Sequence, residues 1–250
     1  MKNNIDMNRI PKIIHYCWFG GKDMPESAKN CIDSWKKHIP DYELRLWNEE
    51  TFDLDMYRFA REAYDNRKYA FVTDVVRLWA IYNYGGIYMD TDVEIIRPID
   101  KFLKYPAFSG FEVQEAIPTG IMAGEKGSTW ACDELKYYEN RSFIKKNGRF
   151  DIRPNVQIIT EHALVKGFVP NNQFQIINDE LAVFPKDYFC PKSYVDGSIT
   201  ITENTYCIHH FAGSWHIESK GEKRLKKLFG TLWATRIMNL KNLTKKYLHI

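Results

Sequence analysis

The sequence predicts an α/β fold, and three observations point to it. Ile13-Ile14-His15-Tyr16-Cys17-Trp18-Phe19 is an apolar run that stops at Gly20-Gly21, the pattern of a buried strand entering a loop. Residues 27–38 then place Ala28, Cys31, Ile32 and Trp35 on one helical stripe. Tyr42-Glu43-Leu44-Arg45-Leu46-Trp47 follows with the two-residue alternation of a strand. Strand, helix, strand is the opening of an α/β domain.

Further along, residues 71–84 are apolar on nearly every face, which predicts a deeply buried helix. Gly85-Gly86 ends it, and Ile87-Tyr88-Met89 forms a strand running straight into Asp90. Carboxylates at the C-terminal end of a core strand stand where α/β sheets bind ligands. Val93-Glu94-Ile95 returns to strand. Residues 109–130 are punctuated by Gly and Pro and lead into a helix over 131–138, and residues 176–206 read as short strands and loops, with one strand at Ser198-Ile199-Thr200-Ile201-Thr202. The last thirty residues carry Lys220, Lys223, Arg224, Lys226, Lys227, Arg236, Lys241, Lys245 and Lys246. Leu225, Leu228, Phe229, Leu232, Leu240, Leu243 and Tyr247 recur there at helical spacing. The expectation is one domain over residues 1–219 and a basic amphipathic helical segment over 220–250, either packed on the domain or docked on anionic lipid.

Composition narrows the function. The 250 residues are 44% hydrophobic with a net charge of +3, and Lys and Arg are scattered rather than striped, which argues against a nucleic-acid partner. Five widely spaced cysteines without a C-x-x-C pair indicate neither a zinc site nor a disulfide framework. The N-terminus lacks the apolar core of a signal peptide, and no stretch reaches the roughly 20 apolar residues of a membrane span. The expected location is the cytoplasm, with peripheral contact at the inner face of the plasma membrane through the basic tail.

Asp90-Thr91-Asp92 is the motif that carries chemistry. Two carboxylates two residues apart share a face if the strand stays extended, and together they hold one hard divalent cation with positions left open for ligand oxygens. A cation bridging a diphosphate neutralises charge that grows on a leaving group. Asp-x-Asp at a strand end is also ordinary turn chemistry, so its surroundings decide. A calcium loop would need further acids and a Gly that are absent. An aspartyl-phosphate phosphohydrolase would want Thr or Val where Glu94 stands. Inside the buried helix, Asp74 and Arg77 lie at i and i+3, close enough to pair; Arg77 suits phosphate geometry.

The run from Ile10-Pro11-Lys12 to Gly20-Gly21, then Asp74-Val75-Val76-Arg77, then Tyr84-Gly85-Gly86-Ile87-Tyr88-Met89-Asp90-Thr91-Asp92 resemble the DXD-containing glycosyltransferases, a family-32-like group. That group includes bacterial capsule and lipopolysaccharide sugar transferases, yeast initiating mannosyltransferases and, more distantly, the clostridial glucosylating toxins. The similarity runs from Ile10 to about Leu103 and resumes at residues 206–215. It implies a GT-A fold, a single Rossmann-like domain with a mixed sheet, and a retaining hexosyl transfer from a UDP- or GDP-sugar with Mn2+ or Mg2+. The acceptor would be a glycan or lipid-linked molecule in capsule, lipopolysaccharide or exopolysaccharide synthesis.

Carried over by position, the resemblance makes Trp18 the platform for the donor base, puts Asp74 and Arg77 on donor sugar and phosphate, and has Tyr88 line the same pocket. Asp90 would contact ribose and metal and Asp92 would ligate the metal, while His210, Ser214 and Trp215 would close over metal and diphosphate. Asp74, Arg77, Asp90 and Asp92 are thus the expected catalytic set, and Asp90, Asp92 and His210 the expected metal ligands. The chain departs from relatives in two places: the toxins have an acid and a Ser near the metal in the C-terminal block, whereas here His209 and His210 precede Ser214, and Pro118-Thr119-Gly120-Ile121-Met122 lacks the Asn that relatives often carry. Glu112 and Glu115 read as a solvated loop. A metal-dependent phosphohydrolase and a catalytically silent sugar-binding module are the competing readings.

Overall fold

The structure, a computed structural model, describes residues 8–112, 115–194 and 196–212. The elements are β1 (Ile13–Cys17), α1 (Glu26–His38), β2 (Glu43–Trp47), α2 (Arg58–Asp65), α3 (Tyr69–Tyr84), β3 (Gly86–Met89), β4 (Val93–Ile95), β5 (Ala107–Gly110) and β6 (Ile121–Gly124). They continue as α4 (Thr129–Lys136), α5 (Asn155–Val165), β7 (Gln175–Ile177), β8 (Leu181–Phe184), α6 (Lys186–Phe189) and β9 (Cys207–His209). Seven strands form one sheet in the order β2-β1-β3-β6-β5-β8-β7, and β4 pairs with β9 in a two-stranded ribbon. β1 runs parallel to β2 and β3, and β5 parallel to β8; β6 and β7 are antiparallel to their neighbours. The expected α/β class with a mixed central sheet is the one observed.

Alternation along β3 divides the core. Ile87 and Met89 join Ile14, Trp35 and Phe108 in one apolar cluster, whereas Tyr88 joins Val72, Val76, Phe111 and Met122 in the other. Helix α3 belongs to the second cluster. Its Val72, Val75, Val76, Leu78, Ala80 and Ile81 are inaccessible to solvent, as the all-apolar sequence requires. The helix stops because Gly85 takes φ 67° and returns its N–H to the Ile81 carbonyl at 2.8 Å. At Gly86, φ is 116°, and a Cβ there would lie 2.7 Å from the Ile13 carbonyl oxygen, so only glycine lets β3 start this close to β1.

His15 locks that junction. Its Nε2–H donates to the Gly85 carbonyl at 2.8 Å, while Nδ1 accepts from the Trp47 indole at 3.2 Å. Burial pushes the imidazole down to about 4, so the neutral ring ties β1, β2 and the α3–β3 turn together.

Three local expectations change. Residues 198–202 form no strand beyond a single bridge between Lys192 and Ile199. There the Thr205 hydroxyl takes the Thr202 N–H at 2.9 Å and the Thr202 hydroxyl takes that of Asn204 at 3.1 Å, which satisfies the backbone locally. Helix α4 begins two residues earlier than the apolar pattern indicates, at a Ser128 cap that accepts from Ala131. Helices α2 and α5 and strands β5 and β6 have no counterpart in the sequence reading. Among the described residues no helix is long and apolar enough to cross a membrane. The expected tail over 220–250 and its boundary at 219 lie outside the described residues.

Candidate active site

Strand β3 delivers its chain to Asp90, whose N–H bonds the Gly120 carbonyl at 2.8 Å. The backbone then turns instead of staying extended, with Val93 N–H on the Asp90 carbonyl at 3.0 Å. Asp90-Thr91-Asp92 is therefore a tight turn between β3 and β4, and the two carboxylates converge by that turn. Strand β4 pairs antiparallel with β9 in a register that sets Val93 opposite His209.

This pairing brings the C-terminal block onto the motif. His209 Nε2 lies 3.4 Å from Asp92 Oδ1, the Ala212 N–H donates to Asp92 Oδ2 at 2.7 Å, and the His210 N–H donates to the Asp92 carbonyl at 2.9 Å. Ligand atoms of Asp90, Asp92 and His209 all fall within 4.8 Å of one another. Burial alone would push Asp92 up, but the His209 ring and the Ala212 amide outweigh it and hold this carboxyl below its ordinary range. Burial likewise works against a charged His209, and Asp92 and Cys190 overcome it, raising that imidazole well above its usual value. Gly120 makes room for the ring, since a Cβ there would come within 2.7 Å of it.

The expected metal ligand His210 is placed elsewhere. Its Nε2 is 2.8 Å from Glu94 Oε2, away from the cluster, because neighbouring residues at a strand end point to opposite sides. Among the described residues it is the His209 ring, rather than that of His210, that meets Asp90 and Asp92.

Beneath the turn, α3 supplies Asp74 and Arg77. Arg77 Nη2 sits 3.3 Å from Asp74 Oδ1 and 3.6 Å from Asp90 Oδ1. Its Nε donates to the Thr73 carbonyl at 3.2 Å, Nη1 donates to the Thr119 carbonyl, and the guanidinium lies over the Tyr88 ring at 4.6 Å from the centroid. The Tyr88 hydroxyl donates to Asp90 Oδ1 at 2.7 Å. A buried cation is thus shared between two carboxylates, one structural in position and one on the motif. Burial raises Asp74 to about 6, against the pull of Arg77 and with help from Asp90.

Trp18 follows β1, half-buried, with its indole N–H on the Lys22 carbonyl at 2.5 Å and its backbone N–H on Trp47. It stands at the C-terminal end of β1, which runs parallel to β3, and so at the same end of the sheet as Asp90. Ser214 and Trp215 lie outside the described residues.

Two residues near the site went unread in the sequence. Glu112, expected on a solvated loop, is instead driven by burial up to about 7, with His209 acting in the opposite sense. Cys190, fully buried after α6, joins Glu112 and His209 within 4.8 Å. Neither sits in a local motif; the parallel pairing of β5 with β8 sets the segments that lead to Glu112 and Cys190 side by side, far apart in sequence.

Residues 25–109 match the family described as "Glycosyltransferase sugar-binding region containing DXD motif". Inositol phosphoceramide mannosyltransferase 3 of Schizosaccharomyces pombe is 38% identical over 126 residues, covering 47% of this chain and 34% of that protein. Mannosyl phosphorylinositol ceramide synthase SUR1 of Saccharomyces cerevisiae is 31% identical over 146 residues, covering 54% of this chain and 37% of that protein. The chain spans little more than a third of the length of these relatives. Among solved structures, the PaToxG glycosyltransferase aligns over 51% of this chain and 58% of its own at 23% identity and a TM-score of 0.42. Mouse xyloside xylosyltransferase 1 aligns over 84% of this chain and 100% of its own at 8% identity and a TM-score of 0.49. The resemblance read from the sequence is borne out: over residues 25–109 the chain is similar to the DXD-containing sugar-binding region of glycosyltransferases.

Proposed function

We propose that the chain is a GT-A glycosyltransferase that moves a hexose from a nucleoside-diphosphate sugar to a hydroxyl of a lipid-linked or glycan acceptor. The observation that carries this reading is the convergence of Asp90, Asp92 and His209 directly above the Asp74–Arg77 pair. Two carboxylates and an imidazole within 4.8 Å fit one divalent ion, Mn2+ or Mg2+, and Asp92 is kept ionised for it. Such an ion, when bound, neutralises charge on a leaving diphosphate.

The chain's own residues do the rest. Arg77 is pre-positioned by Thr73, Thr119 and the Tyr88 ring, so its guanidinium presents fixed positive charge where phosphate charge would grow. Tyr88 orients Asp90 through its hydroxyl. Asp74 holds Arg77 in place and has a carboxylate edge for a sugar hydroxyl. Trp18, at the mouth of β1, is the proposed stacking surface for the base. Ser214 and Trp215, to which the sequence resemblance gives metal and diphosphate contacts, lie outside the described residues.

Both yeast relatives are named for mannosyl transfer to inositol phosphoceramide. A GDP-mannose donor and a phosphate-bearing lipid acceptor are accordingly proposed ahead of the capsule or lipopolysaccharide pathway that the sequence resemblance implied. The basic tail would hold the enzyme at an anionic membrane face, where such an acceptor resides.

The test is donor turnover. Purified chain is incubated with GDP-mannose and, separately, UDP-glucose, with Mn2+ and then with chelator. Metal-dependent release of GDP or UDP, lost in Asp92→Asn, supports transfer. Release of inorganic phosphate from simple phosphoesters instead, with no nucleotide released, would favour the phosphohydrolase reading.

A further inference from the structure

His209 has two faces, and the proposed catalytic ion uses only one. Its Nε2 faces Asp92 at 3.4 Å, whereas its Nδ1 is buried without a hydrogen-bond partner among the described residues. The residue is nine-tenths buried, so an unpaired ring nitrogen there has a real desolvation cost that a ligand would remove. Against the same ring stand the Cys190 thiol and the Glu112 carboxylate, all within 4.8 Å of one another.

We propose that Glu112, Cys190 and His209 form a second cation site, selective for a thiophilic divalent ion such as zinc, which shares the His209 imidazole with the Asp90–Asp92 pair. The donor sets differ in kind. Asp90 and Asp92 offer hard oxygens, suited to Mg2+ or Mn2+, while a thiolate beside an imidazole and a carboxylate selects a softer ion. Zinc–sulfur and zinc–nitrogen bonds of about 2.3 and 2.0 Å place tetrahedral ligands about 3.5 Å apart, so three ligand atoms within 4.8 Å of one another need only a small contraction to close on an ion. Three protein ligands leave a fourth position open.

The fold supports this grouping from three directions. Phe111 N–H bonds the Phe184 carbonyl at 2.9 Å, anchoring the strand end that leads to Glu112. Cys190 closes α6, its N–H on the Lys186 carbonyl at 2.8 Å. His209 ends β9 against β4. Metal ligation takes a thiolate and a deprotonated ring nitrogen, so loading exchanges the Cys190 S–H proton and the proton on the ligating His209 nitrogen for bonds to the metal and releases both to solvent. Because His209 serves both sites, an ion held by Cys190 draws the imidazole from Asp92 and inhibits transfer; this consequence rests on the transferase reading, whereas the binding itself does not.

Cobalt(II) is the probe, because thiolate ligation gives a sulfur-to-metal charge-transfer band in the near ultraviolet. The metal-free, reduced chain should show that band on cobalt titration, lose it on zinc addition and release protons as it loads. Cys190→Ser should abolish the band, while Cys31→Ser, Cys132→Ser and Asp92→Asn should keep it. Persistence of the band in Asp92→Asn separates this site from the proposed catalytic one, whose failure would appear only in nucleotide turnover. If Cys190→Ser does not fold, Glu112→Gln, with the thiol intact, should weaken cobalt by at least ~10-fold. No band in the native chain, a band surviving in folded Cys190→Ser, or unchanged affinity in Glu112→Gln would overturn the proposal.

Discussion

The Tyr88 hydroxyl donates to Asp90 Oδ1 at 2.7 Å, while its own ring carries the Arg77 guanidinium 4.6 Å from the centroid. One side chain thus orients both charges that face each other at the motif. Tyr88→Phe keeps the ring under Arg77 and removes only the hydroxyl. A hydrogen bond to a charged group is worth about 1.5–3 kcal/mol, so kcat/KM should fall roughly 10- to 100-fold. Steady-state kinetics and a urea melt check it: the account expects the kinetic loss to exceed the stability loss.

The β4–β9 register makes His209, rather than His210, the imidazole at the motif. His209→Ala should abolish metal-dependent nucleotide binding. His210→Ala loses only a half-exposed pair with Glu94, worth under about 1 kcal/mol, and should bind normally. Gly120→Ala, whose Cβ would come within 2.7 Å of the His209 ring, should weaken metal by displacing that ring, with no ligand replaced. Calorimetric titration of Mn2+ with nucleotide present measures all three.

Removing Arg77 leaves Asp74 buried without its cation. Arg77→Ala should destabilise the fold by about 3–5 kcal/mol, and the double variant Arg77→Ala with Asp74→Asn should recover part of that loss. Urea unfolding of the single and double variants gives the comparison; equal stabilities would remove the ion pair from the account of the helix.

Glu134 offers a pH test away from the site. It is 2% exposed, 2.7 Å from His162 Nδ1, and burial raises its carboxyl from 4.5 to about 7 despite His162. A folded value above the unfolded one means that between about pH 4.5 and 7 the native chain holds a proton that the unfolded chain has released. Stability from this group therefore falls as pH rises through that window, by up to about 3 kcal/mol. Glu134→Gln should remove the fall, so the variant gains on the native chain as pH increases from 4.5 to 8. Unfolding curves at those pH values check the sign.

Much of the site was legible because its signals are local. Helix α3 is apolar on nearly every face and stopped by Gly85-Gly86, Asp74 and Arg77 are three residues apart within it, and Asp90 follows a strand that needs no partner to be seen. What escaped depends on pairing across long separations. His209 and His210 are equivalent in sequence, and only the β4–β9 register, spanning 116 residues from Glu94 to His210, decides which ring meets Asp92. Strands β5 and β6 are four residues long and buried on both faces, so they show no alternation. Gly124 in β6 reads as a loop residue, yet it is there because a Cβ would approach Ile81 of α3 at 2.9 Å. Asp90-Thr91-Asp92 fits either an extended strand end or a turn by sequence, and the Val93 N–H bond to the Asp90 carbonyl decides for the turn.

The most direct test of the central claim is the thermal shift of the purified chain with GDP, UDP and their sugars, with Mn2+ present and then chelated. Ligand that binds the native state raises its apparent stability by about 2.7 kcal/mol at a hundredfold excess over Kd. The account predicts a nucleotide shift that requires metal and vanishes in both Asp92→Asn and His209→Ala while surviving in His210→Ala. A shift indifferent to metal, or none with any nucleotide, would contradict a donor site at Asp90 and Asp92.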